Sequence, residues 1–217
     1  MGDDNNYLFP FSTCELPATN SFVKQPYSTV VNLLTALILS YYLFIAKSFL
    51  VKIVILSFII FELYHAYSHI THIKGKIQSN VIHLLWYFLF ISVLAVFIKI
   101  NKKKENWIYI FIILIILIDL YIWYINNSFY MISSGLFILI VIVVSHYYLF
   151  TRELKQKLNY LLMGTFVLIL LFINEKLNCN YMLENFKFPY HIFIELIGLV
   201  LFIMLADFFI KVEKIYF

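Results

Sequence analysis

Beyond residue 27 the chain alternates long apolar runs with short polar breaks. A helix that crosses a bilayer needs ~20 mostly apolar residues. Seven stretches fit that pattern: residues 28–46, 50–73, 80–100, 107–125, 129–150, 159–173 and 190–212. The breaks at 47–49, 74–79, 101–106, 126–128 and 151–158 are short and polar, and the longest falls at 174–189. The pattern predicts an all-α polytopic membrane protein, with a polar N-terminal segment (1–27) followed by a seven-transmembrane helix bundle (28–217). No repeat, linker or second domain is visible. The N-terminal segment contains Pro10, Pro17 and Pro26 and no apolar run preceded by positive charge. It does not read as a cleaved signal peptide, so the first span is expected to act as a signal anchor.

Composition reinforces this picture. The chain is 63% hydrophobic and 13% charged, with a mean hydropathy of +0.90. A soluble domain is roughly half apolar and about a quarter charged. A chain of 217 residues has no water-soluble core large enough for this much apolar surface. The net charge of +4 and pI of 8.9 do not imply nucleic acid. The positive charges sit in the short breaks, where topology explains them. With the N-terminus outside or lumenal, the cytosolic side carries Lys47, Lys52, Lys99, Lys102, Lys103, Lys104, Arg152, Lys155, Lys157, Lys211 and Lys214. The outer side carries only Lys24, Lys74, Lys76, Lys176 and Lys187. That bias predicts an outer or lumenal N-terminus and a cytosolic C-terminus. Endoplasmic reticulum, Golgi and plasma membrane are equally compatible.

Ionisable residues within spans are costly and mark candidate functional sites. The second span carries Glu62, His65, Ser68, His69 and His72. At 100° per residue, the glutamate and the three histidines share roughly a quarter of the helix circumference, bordered by Ser68. The seventh span opens with His191 and Glu195, one turn apart on one face. The third opens with His83. Because neighbouring spans run in alternate directions, all these groups fall at similar depth in the outer half of the membrane. Imidazoles and carboxylates gathered at one depth suit zinc, and a catalytic zinc site keeps three protein ligands and one water. His72, His191 and Glu195 form the expected ligand set. His83 or His69 would accept the proton of the bound water, and Ser68 would support an oxyanion. Glu62 and His65 would orient the ligands. A proton relay through Glu62, His65 and His69 is the competing reading, and a single intramembrane histidine often serves only as a helix–helix hydrogen bonder. His146 and Asp207 fall at the cytosolic ends of their spans, too far to join the site. Asp119 lies within the fourth span, and Asn126-Asn127-Ser128 forms a glycosylation sequon in a very short break.

Ser68-x-x-x-His72, a polar residue after entry to the third span, and His191-x-x-x-Glu195 resemble the alkaline ceramidases. These belong to a wider superfamily of seven-span membrane hydrolases that includes the adiponectin and progestin receptor-like proteins. Cys14-Glu15, followed by Gln25 through Leu33, is similar to that family's W-C-E segment and its entry to the first span. The resemblance covers nearly the whole chain in motif order. It implies zinc-dependent hydrolysis of an amide bond in a membrane lipid, a ceramide or another N-acyl lipid. It also implies a calcium site on Glu15, Asn20 and Gln25, although the family's preceding Asp falls near Ser12 here. Glu195 stands where the family has a second histidine and His83 where it has an aspartate. Cys14 and Cys179 are the only cysteines, and both fall on the predicted outer side. The resembled family also places cysteines in these segments, so a Cys14–Cys179 disulfide is expected, pinning the N-terminal segment over the site. A seven-span lipid receptor, or a proton or metal transporter using the same histidines, is the alternative. A retinal protein is excluded, because the seventh span has no internal lysine.

Overall fold

The computed structural model describes residues 13–72, 76–100, 106–125, 130–186 and 189–217. Among these residues there are seven α-helices and no strand: α1 (Pro26–Ile45), α2 (Phe49–Thr71), α3 (Lys76–Ile100), α4 (Asn106–Ile125), α5 (Tyr130–His146), α6 (Arg152–Phe186) and α7 (His191–Tyr216). A single 3-10 turn, Tyr147–Leu149, follows α5. The 126–128 sequon, Lys74 and Lys102 to Lys104 lie outside the described residues.

Among the described residues, five helical stretches are long and apolar enough to cross a membrane: Pro26–Ile45, Phe49–Thr71, Asn80–Ile100, Arg152–Asn185 and His191–Tyr216. The expectation of seven spans is met in part, in the all-helical architecture and in these five helices. The remaining apolar stretches, Asn106–Ile122 in α4 and Ser134–Val144 in α5, are shorter. Both stretches border residues outside the described ones, and the helices that contain them, α4 and α5, run 20 and 17 residues. Large apolar side chains point away from the bundle, with Phe44 87% and Leu37 69% exposed. Surface of this kind is compatible with an integral multi-pass membrane protein, whose outer face lipid would cover.

The break expected at 174–189 is corrected. The helix α6 runs 35 residues, through Phe186. No proline or glycine interrupts 165–186, so polar residues end the apolar stretch without ending the helix. At ~52 Å, α6 exceeds the hydrocarbon thickness, and its last turns project beyond it.

Helix α1 packs against α2 and α7, α2 also against α3 and α7, α3 against α5, α5 against α4 and α6, and α6 against α7. Helices α1, α2, α3, α5, α6 and α7 thus close a ring, with α4 laid against α5. At one end Glu213 accepts hydrogen bonds from Lys47 N (2.7 Å) and from Ser48 N, closing the α1–α2 turn onto α7. At the other end the N-terminal segment crosses the mouth of the ring. Lys24 N donates to Ile70 O (3.1 Å) and Gln25 N to His69 O (3.0 Å), satisfying carbonyls that the end of α2 leaves open. The Glu15 carboxylate accepts from Tyr27 N (3.0 Å) and Ser28 N (3.1 Å), and so caps the first turn of α1. Cys14 and Cys179 are disulfide-bonded, with Cα atoms 5.4 Å apart.

Candidate metal centre

Three helix ends meet under the N-terminal segment: the last turns of α2 and the first turns of α1 and α7. They bring His65, His69 and Glu195 together, all buried, with one ligand atom of each lying within 4.8 Å of the others. His69 Nε2 lies 3.0 Å from His65 Nε2 and 3.4 Å from Glu195 Oε1. His65 Nε2 lies 3.6 Å from the same oxygen. Ligands bound at ~2.0–2.1 Å to a tetrahedral ion sit ~3.3 Å from one another. The three observed edges bracket that value, so the cluster can hold a metal ion.

The surrounding hydrogen bonds point the same way. His69 Nδ1 lies 2.7 Å from Gln25 Oε1, which only accepts, so Nδ1 carries the hydrogen. In the neutral ring the Nε2 lone pair then faces His65 and Glu195. Gln25 is itself fixed, its Nε2 donating to Thr13 Oγ1 (2.9 Å) and Glu15 O. The Asn32 amide nitrogen, in the orientation its neighbours require, donates to Glu195 Oε2 (2.6 Å) and Glu62 Oε2 (3.1 Å). One oxygen of Glu195 is thus held by α1 while the other faces the histidines. His191 Nε2 lies 2.9 Å from Glu195 Oε1, and its Nδ1 lies 2.8 Å from Glu175 Oε1.

The expected residues fall as follows. Glu195 is a cluster member, and His191 contacts it directly. The α2 members are His65 and His69 rather than His72. His72 ends α2 in a left-handed conformation (φ 47°), its N–H donating to Ser68 O at 2.8 Å. The stripe is real, but the helix stops before its last histidine. The Ser68 hydroxyl donates to Tyr64 O (2.9 Å) on its own helix. Glu62 meets Glu195 through Asn32, and His83 is buried and lines the cavity described below. Of the residues named for calcium, Asn20 is exposed, the carboxylate of Glu15 caps α1 and Gln25 Oε1 faces His69. His146 faces Phe97 O (2.8 Å), Asp207 pairs with Lys157, and Asp119 accepts the Ser134 hydroxyl at 2.8 and 2.9 Å. Two contributors were not anticipated, Asn32 and Glu175. Asn32 lies in the segment that resembles the family's entry to the first span, and Glu175 stands in the polar run at 174–180.

Below the cluster the ring lines a partly open cavity of about 190 Å³. Its polar end is Asn32, Glu62, His65, His83, His191 and Glu195, and the remainder of its wall is mostly apolar. Gly198 lies one turn below Glu195, and a methyl group added there would meet open space within the cavity. Farther down, Phe58, Phe61 and Phe202 pack with ring centroids 5.1 and 6.1 Å apart, and Phe209 continues the stack 6.5 Å from Phe58.

Comparison with family models, with curated proteins and with solved structures finds no match to this chain.

Proposed function

We propose that this chain is a metal-dependent membrane hydrolase that cleaves an amide bond in a lipid. The observation that carries the reading is the His65–His69–Glu195 cluster at the polar end of an otherwise apolar cavity. His65, His69 and Glu195 would hold zinc, which supplies an activated water and polarises the carbonyl. Water adds to the amide carbon, the C–N bond breaks, and a fatty acid and an amine leave, the amine carrying the proton. His83, buried on the cavity wall, would take the proton from the water and return it to the amine. Asn32 holds Glu195 by its second oxygen. The apolar wall from Phe58 to Phe202 accommodates an acyl chain and keeps bulk water away from the site. The motif resemblance to the alkaline ceramidases supports the same substrate class.

Transport of protons or metal through the bundle is disfavoured by the aromatic stack of Phe58, Phe61, Phe202 and Phe209, which presents no hydrogen-bonding side chain to a moving ion. The disulfide fits an oxidising compartment, so the N-terminal end of the bundle would face a lumen or the exterior.

The test is metal analysis of purified protein, followed by mass-spectrometric detection of fatty acid released from N-acyl lipids in micelles. Stoichiometric zinc and release that stops on chelation and resumes on zinc addition support the reading. Protein that binds no metal, or release indifferent to chelation, overturns it.

A further inference from the structure

A line of contacts runs from the disulfide to the centre of the bundle. Glu175 lies one helical turn before Cys179 on α6, so both occupy the same face. Cys179 holds Cys14 covalently, and the Cys14 N–H donates to Glu175 Oε1 at 2.7 Å. That same oxygen lies 2.8 Å from His191 Nδ1, and His191 Nε2 reaches Glu195 Oε1 at 2.9 Å. Glu175 is only 3% exposed, and its other oxygen has no hydrogen-bond partner among the described residues. A carboxylate buried this way carries a desolvation cost that its contacts to Cys14 and His191 must offset. The α6–α7 corner is fixed beside it, with Asn174 Nδ2 donating to Tyr190 Oη at 2.8 Å.

We propose that Glu175 is a positioning residue of the metal centre, kept in register by the Cys14–Cys179 disulfide, and that it sets the placement of Glu195 through His191. The proposal rests on the reading of His65, His69 and Glu195 as metal ligands. An imidazole touched at one nitrogen pivots about its side-chain torsion. One touched at both has its plane fixed, and it then fixes the carboxylate oxygen it faces. Partners that touch a ligand directly, as His191 touches Glu195, are typically worth ~10–100-fold in metal affinity, and Glu175 acts through His191. The disulfide presents the Cys14 amide to Glu175 without a search by the N-terminal segment. Glu175 as a mere anchor for that segment would affect folding but leave the metal's coordination unchanged.

The experiment uses the full chain in detergent, titrated with Co²⁺ alone and followed by its visible absorption, which reports coordination geometry. Helical content is checked by circular dichroism. For Glu175→Leu the expected result is a Co²⁺ affinity weaker by ~10-fold, the lower end of what loss of a ligand's direct partner costs, with a shifted absorption band. Glu175→Gln keeps an acceptor for both donors and should recover most of the loss. The double variant C14S/C179S tests the same chain of contacts without touching Glu175 and should show a smaller shift in the same direction. Wild-type affinity and spectrum in folded Glu175→Leu overturn the proposal while the metal centre stands. An unaltered spectrum in the disulfide-free variant overturns the part assigned to the disulfide. A wild-type protein that takes up no Co²⁺ instead overturns the metal centre itself.

Discussion

Gln25 grips His69 twice: its backbone N–H donates to the His69 carbonyl at 3.0 Å, and its side-chain Oε1 lies 2.7 Å from His69 Nδ1. One residue thus closes the end of α2 and chooses which ring nitrogen faces the cluster. Replacing it by leucine keeps the first contact and removes the second. Gln25→Leu is expected to remain folded and to lose ~10–100-fold in zinc affinity, measured by competition with a chelating dye. Unchanged affinity would mean that His69 needs no such partner.

Gly198 faces open space on the cavity wall. Leucine there should occupy acyl-chain volume without clashing with the fold. Metal content should stay at the wild-type level, while release of long-chain fatty acid falls and shorter chains are favoured. A chain-length series assayed on both proteins checks this. An identical profile would place the acyl chain elsewhere.

Glu213 binds the α1–α2 turn at the opposite end of the molecule from the metal centre. Glu213→Ala leaves two backbone donors without this acceptor and should lower stability by ~1–3 kcal/mol. Thermal unfolding in detergent measures the loss, and zinc binding by the surviving folded protein should match wild type. A loss of metal at temperatures where the variant is folded would show that the two ends of the bundle are coupled.

The lysine bias predicts that the start of α6 is cytosolic. Both native cysteines are disulfide-bonded, so a single introduced cysteine reports its own side of the membrane. Gln156→Cys, on the exposed first turns of α6, is expected to react with a membrane-impermeant maleimide only after the cytosolic face is opened. Labelling of intact cells from outside would invert the topology.

The histidine stripe on α2 and the His191–Glu195 turn of α7 were legible in the sequence, because helical periodicity alone places them on faces. Which histidines of the stripe meet Glu195 was not. That depends on where α2 stops, and His72 is the residue at which it stops. Glu175 was hidden for a different reason. The run from Asn174 through Asn180 is polar, and polarity marks the exit from a membrane. It does not mark the end of a helix, which needs a breaker, and none is present before Phe186. Asn32 lies in the segment that carries the family resemblance, but an asparagine within a span has no charge to mark it as part of the site. Only the packing of α1 against both α2 and α7 makes it a bridge between two carboxylates. Five of the seven expected spans are matched by long apolar helices among the described residues, and the other two fall on α4 and α5, whose described apolar stretches are shorter.

The bond between Cys14 and Cys179 spans 165 positions of sequence and makes a covalent hoop of α1 through α5 and most of α6. Helix α7 alone lies wholly outside it. Pulled from its two ends, the molecule is therefore expected to yield at α7 first, since the hoop transmits tension through the sulfur atoms while α7 is attached by packing and polar contacts only. Peeling α7 away would withdraw Glu195 and His191 from His65 and His69 together. The same cluster that would bind a metal is thus the clasp by which the last helix is fastened to the hoop, and a bound ion would raise the force needed to open it.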